Sequence, residues 1–139
     1  VKPYAGLLCA LIAGCHQTHP LKGIKDIRPG TTSLQEALLI LEDPNRVINN
    51  ATQPGTQIFH WEEFSLQIEH KIVQAIFRNP TANETSFLYW RHAYRQTPTQ
   101  LKKIKDTSHW QLTVPQAGLA VIYDEEIDQV TKVVRYEAP

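Results

Sequence analysis

Six histidines, two cysteines and a few adjacent carboxylates are the residues of this 139-residue chain with chemistry to offer. His16 and His19 stand three apart, a spacing that can chelate a metal weakly, but no third ligand type lies nearby to complete a site. Solvated linker histidines are the simpler expectation. His60 and His109 each immediately precede a tryptophan in an alternating segment, so on a strand imidazole and indole face opposite ways. His70 falls in a turn and His92 flanks an aromatic helix face. Glu62-Glu63 and Glu125-Glu126 are sequence neighbours, which diverge on a strand and do not build an acid/base pair. Nucleophilic catalysis needs an activated Ser or Cys with a base and an orienting group, and no Gly-x-Ser-x-Gly elbow or Gly-rich phosphate loop is present. The expectation is a non-catalytic protein without metal or cofactor.

The cysteines sit in a different pattern. Residues 1–15 place Lys2 beside the α-amino group, then an apolar stretch from Ala5 to Gly14, then Cys15. That order is the layout of a secretory signal peptide, and the stretch is about half of the roughly 20 residues a bilayer-spanning helix needs. Short apolar runs with a cysteine also occur in buried helices and strands. Ile12-Ala13-Gly14-Cys15, however, resembles the lipobox of bacterial lipoproteins. The resemblance implies a diacylglyceryl group on the Cys15 thiol, cleavage between Gly14 and Cys15, and removal of Cys9 with residues 1–14. A structural disulfide would then be impossible. Each buried methylene contributes roughly 0.8 kcal/mol, and two or more acyl chains anchor essentially permanently. His16 stands where the family's sorting rules read aspartate as inner-membrane retention, which favours the outer membrane, facing periplasm or surface. Residues 15–25 are expected to be a lipidated cysteine and flexible tether.

Partner binding has its own candidates. Lys102, Lys103 and Lys105 could touch lipid phosphates, or could be the charged edge of a strand that discourages aggregation. Tyr89 and Trp90 are neighbours on a helix and cannot both point fully inward, so one is a candidate binding anchor. Lys+Arg and Asp+Glu both total 14, which removes the global field that nucleic-acid binding would use.

The elements that must position these residues follow from periodicity. With 42% hydrophobic and 20% charged residues, one folded domain is expected over 26–139, built of two repeat-like units of about 26–80 and 81–139. Leu34, Ala37, Leu38 and Leu41 share a helix face, capped by Ser33 with Glu36 or by Thr32 with Gln35, and Pro44 stops the helix. An Asn-rich loop from Asn45 to Gly55 is expected next, then strands at Gln57–Trp61, Phe64–Ile68 and Ile72–Arg78. Asn83-Glu84-Thr85-Ser86 opens a second helix bearing Phe87, Trp90 and Tyr94, which Pro98 closes. Strands are expected again at Leu101–Lys105, His109–Val114, Gly118–Tyr123 and Val130–Tyr136. The expected class is α+β: tandem helix-plus-antiparallel-meander units forming one sheet, with helices packed on one face and the other face open to a partner.

Ile27-Arg28-Pro29-Gly30-Thr31-Thr32 with Glu36, Leu41 and Asp43-Pro44, then Phe59-His60-Trp61, resembles the pattern of BamE/SmpA/OmlA-type outer-membrane lipoproteins. The glycine usual before the proline is missing at Pro44. The doubled order is similar to the tandem fold of β-lactamase inhibitor proteins. These resemblances imply a lipid-anchored cell-envelope protein, held to the membrane through Cys15 and acting as a protein-binding adaptor or assembly accessory. An inhibitor-like or small-ligand-binding envelope lipoprotein is the alternative.

Overall fold

The structure, a computed structural model, describes residues 23–50 and 53–139. The expectations of a signal peptide, cleavage after Gly14 and lipidation at Cys15 lie outside the described residues. In chain order the elements are α1 (Leu34–Ile40), β1 (Arg46–Asn49), β2 (Thr56–His60), β3 (Phe64–Glu69), β4 (Ile72–Arg78), α2 (Phe87–Ala93), β5 (Gln100–Lys103), β6 (His109–Val114), β7 (Leu119–Asp124) and β8 (Gln129–Tyr136).

All eight strands join one antiparallel sheet in the order β1-β2-β3-β4-β8-β7-β6-β5. This corrects the expected α+β class of helix-plus-meander units: the fold is dominated by its sheet, and α1 and α2 are seven residues each. Both helices stop early for local reasons. Leu41 is already extended at φ −98° and ψ 160°, three residues before Pro44, and Tyr94 has left helical geometry at φ −116° and ψ 28°. The β-branched and aromatic runs, by contrast, continue from strand to strand. The ladder also crosses the middle of the chain, where Ala75, Ile76, Phe77 and Arg78 pair with Tyr136, Arg135, Val134 and Val133. A second correction concerns Asn45 to Gly55, expected as loop: its Arg46-Val47-Ile48-Asn49 forms β1, with Val47 opposite Phe59 and Ile48 opposite Ile58. Two β-branched residues suffice once β2 offers a partner edge, although all four residues of β1 stay exposed.

Local chemistry fixes the joints. Of the two possible caps on α1, the one that forms is Ser33 with Glu36: Ser33 Oγ accepts from Glu36 N at 3.1 Å and Glu36 Oε1 accepts from Ser33 N at 2.9 Å. Thr32 Oγ1 instead accepts from Arg28 N at 2.8 Å. The β3–β4 turn puts His70 and Lys71 at φ +52° and +64°, the positive-φ pair of a two-residue type I′ hairpin. After a 3-10 turn at Pro115–Ala117, left-handed Gly118 starts β7, and a Cβ there would meet the Tyr136 carbonyl.

Strand alternation sorts the side chains onto two faces. One face carries both apolar clusters. Ile27, Ala37, Leu41, Phe59, Leu66, Ile68 and Ile76 pack with α1 over β2 to β4. Trp90, Leu112, Val114, Val121, Val130 and Val133 pack with α2 over β6 to β8. On α1 the inward positions are Leu34, Ala37, Ile40 and Leu41; Leu38 is only half covered and Leu39 is 81% exposed.

Candidate functional site

The opposite face is the strongest candidate for a binding surface. Register assigns its side chains in rows across the strands. One row runs Arg46, His60, Ser65, Phe77, Val134, Ala120, Thr113 and Gln100, each opposite the next. A second runs Ile48, Ile58, Gln67, Ala75 and Tyr136. A third, Lys102, Gln111, Ile122 and Lys132, lies on β5 to β8. Ala75 and Ala120 are buried, whereas Ile58, Phe77, Ile122, Val134 and Tyr136 keep part of their surface open. No helix among the described residues packs on this face, and both helices contribute to the clusters on the other side. The result is a broad surface with an aliphatic and aromatic middle and short polar groups between.

Its charges sit toward the periphery. Arg46 and Lys102 are exposed, with no ion-pair partner among the described residues, and Lys132 Nζ donates to Asn79 Oδ1 at 3.0 Å. Asp124 is already engaged: it accepts from Ser108 Oγ at 2.7 Å and faces His109 Nε2 at 3.6 Å. The Ser108 hydrogen bond holds the Asp124 carboxyl below the usual carboxylate range. Glu69, opposite Thr56 and Ile72, adds a half-buried carboxylate to this face, so the three cations Arg46, Lys102 and Lys132 exceed the two carboxylates Asp124 and Glu69 by one charge.

Two groupings invite a catalytic test. His60 Nδ1 lies 2.8 Å from Ser65 Oγ, but no carboxylate bonds the other imidazole nitrogen among the described residues. In the Ser108, His109 and Asp124 group the serine bonds the aspartate rather than the histidine, so it lacks the nucleophile–base contact a triad needs. Among the described residues, no three His, Cys, Asp or Glu side chains converge as metal ligands. No described helix is long and apolar enough to cross a membrane.

The residues singled out in the sequence scatter. Trp90 is buried at 5% exposure and its Nε1 donates to the Glu84 carbonyl at 2.8 Å, while Tyr89 stands 44% exposed against the indole edge. Lys102 belongs to the open face. Lys103 lies on the helix-covered side, where Nζ bonds Glu125 Oε2 at 3.3 Å and sits 5.7 Å above the Trp110 ring. Tyr89, Lys102 and Lys103 therefore do not form one site. Ile58, Phe77, Val134 and Tyr136 were not singled out, although the apolar/polar alternation of β2, β4 and β8 carries their signal. Comparison with known family models, curated proteins and solved structures finds no match.

Proposed function

We propose that the chain is a lipid-anchored, non-catalytic cell-envelope adaptor that holds a partner protein against the open face of its sheet. The observation that supports this best is the uncovered face itself, where Ile58, Phe77, Ile122, Val134 and Tyr136 present part-open apolar side chains, with Ser65 and Gln67 among them, between exposed Arg46 and Lys102. A partner that fits presents an apolar patch rimmed by carboxylates, since complementary charge steers encounter and the apolar centre supplies the affinity. The lipobox-like Ile12-Ala13-Gly14-Cys15 and the BamE-like pattern around Gly30 and Pro44 support the anchored, envelope part of the proposal.

The test is a tagged pull-down from detergent-solubilised membranes, comparing the native chain with Cys15→Ala, with Ile58→Glu/Tyr136→Glu on the open face, and with Leu88→Glu on α2. A defined set of envelope proteins is expected with the native chain and with Leu88→Glu, and is lost from Ile58→Glu/Tyr136→Glu. Cys15→Ala leaves the domain folded and releases it from membranes. Unchanged membrane retention of Cys15→Ala contradicts the anchor, and unchanged capture by the open-face variant contradicts the adaptor surface.

A further inference from the structure

The helix-covered face is interrupted where the two apolar clusters meet. Along the β4–β8 pairing, Ile76 stands opposite Arg135 and Arg78 opposite Val133, so two guanidinium groups stand between the two apolar clusters. A cleft of about 530 Å³ opens there. Ile24, Ile76 and Val133 form its floor with little surface open (6, 2 and 1%), Lys25, Arg78 and Arg135 bring cationic groups to it, and Glu84 and Thr81 add a carboxylate and a hydroxyl.

The two arginines are satisfied differently. Arg78 is neutralised by Glu84 through paired bonds, Nη1 to Oε1 at 2.7 Å and Nη2 to Oε2 at 3.0 Å. Arg135 has no carboxylate partner among the described residues. Its Nη2 donates to the carbonyls of Ile24 and Ile27 at 3.2 and 3.0 Å, leaving Nε and Nη1 without a hydrogen-bond partner among the described residues. Burial first, then the Arg78 and Arg28 charges, hold its pKa below the usual arginine value. A partly buried cation among like charges lacks a counter-charge. Lys25 beside it is exposed and has no acidic partner among the described residues.

We propose that this cleft binds a small amphiphilic anion, an aliphatic carboxylate whose head group meets Arg135 and Lys25 and whose chain runs along the methylene stems of the lining Lys and Arg side chains, above Ile24, Ile76 and Val133. The cleft volume lies in the range of small-molecule sites, about 300–1,000 Å³, and the pairing of apolar wall with a few convergent polar groups is what such sites share. An anionic head group turns the hydrogen bonds available at Arg135 into charge-assisted ones. The cleft lies on the opposite face from the proposed partner surface, so the two proposals stand or fall separately.

The experiment is an amide-resonance NMR titration of the full chain with octanoate, octan-1-ol, octyltrimethylammonium and acetate. Octanoate is expected to bind saturably and to shift resonances around residues 24–27, 76–84 and 133–135. The alcohol, the cation and acetate each bind at least about tenfold more weakly. Arg135→Gln weakens octanoate binding about tenfold and Lys25→Gln two- to threefold, while Ile58→Glu on the far face leaves it unchanged. Octanol binding as tightly as octanoate reduces the cleft to an apolar pocket, and acetate doing so reduces it to a bare anion patch; either overturns the proposal. So does a folded Arg135→Gln that binds octanoate like the native chain. If Arg135→Gln does not fold, Lys25→Gln and the ligand series on the native chain decide the matter.

Discussion

The two faces of the sheet draw on similar residue types and put them to different ends. On the covered face Leu66, Ile68, Val121 and Leu112 are at 0–1% exposure, locked between the strands and the short helices. On the open face Ile58, Phe77, Val134 and Tyr136 lie in the same strands or adjacent ones, yet each retains accessible surface. A strand supplies both faces alternately, so what separates the core from the open face is whether something packs above it. Stability and the proposed partner surface occupy opposite parities of the same strands, so substitutions one residue apart should act on different properties.

The largest expected effect breaks the comparison from the core side. Leu66→Ala, fully buried between Phe59 and Ile76 in register, is expected to cost about 2–5 kcal/mol in a denaturant titration. Its neighbour Gln67 on the open face should tolerate Gln67→Ala within about 0.5 kcal/mol. Equal losses at the two sites would mean that the open face is also packed.

Next in size is the polar joint between the clusters. Glu84 is held down to about 2 from an ordinary 4.5, chiefly by its bonds with Arg78 and with help from Thr81, against the opposing pull of burial. Its side chain is 14% exposed. Because the folded pKa is lowered, the stabilisation is fully present above 4.5 and is lost as pH falls toward 2. Glu84→Gln is expected to cost about 2 kcal/mol at neutral pH. The variant should also lose less stability than the native chain between those pH values, and parallel acid limbs would contradict the role given to this pair.

Part of this was legible in the sequence and part was not. Leu34, Ala37 and Leu41 at helical spacing, with Ser33 and Glu36 before them, name α1 and its cap from local signals alone. The β-branched runs name most strands for the same reason. β1 was hidden because four residues between asparagines carry too little pattern without knowledge of β2. The balance between helix and sheet was misjudged, since caps mark where a helix starts but not that it ends after seven residues. The open face depends on pairings such as Phe77 with Val134, far apart in the chain, and no local period contains them. Arg78 and Arg135 read as ordinary strand charges until register places both on the covered side. Tyr89 and Trp90 are helix neighbours that cannot both point inward, and spacing does not say that Trp90 is the one that does.

Smaller effects sharpen the account at the joints. Ser33→Ala removes one arm of the α1 cap and should cost about 1 kcal/mol in thermal or denaturant unfolding. Lys71→Gly should go the other way, raising stability by up to about 1 kcal/mol, because Lys71 holds a φ of +64° that glycine adopts without a Cβ clash. A destabilised Lys71→Gly chain would show that the lysine side chain contributes more than its backbone strain costs.

The proposed adaptor surface is tested most directly by photo-crosslinking in intact cells, with a photoreactive phenylalanine placed at Gln67 on the open face or at Leu39 and Leu88 on the covered side. The two leucines are 81% and 77% exposed and so give the helix side a fair chance to capture a partner. A discrete adduct is expected from Gln67 and none from Leu39 or Leu88. Adducts from the leucine positions with a silent Gln67 would contradict it and move the interface to the helices.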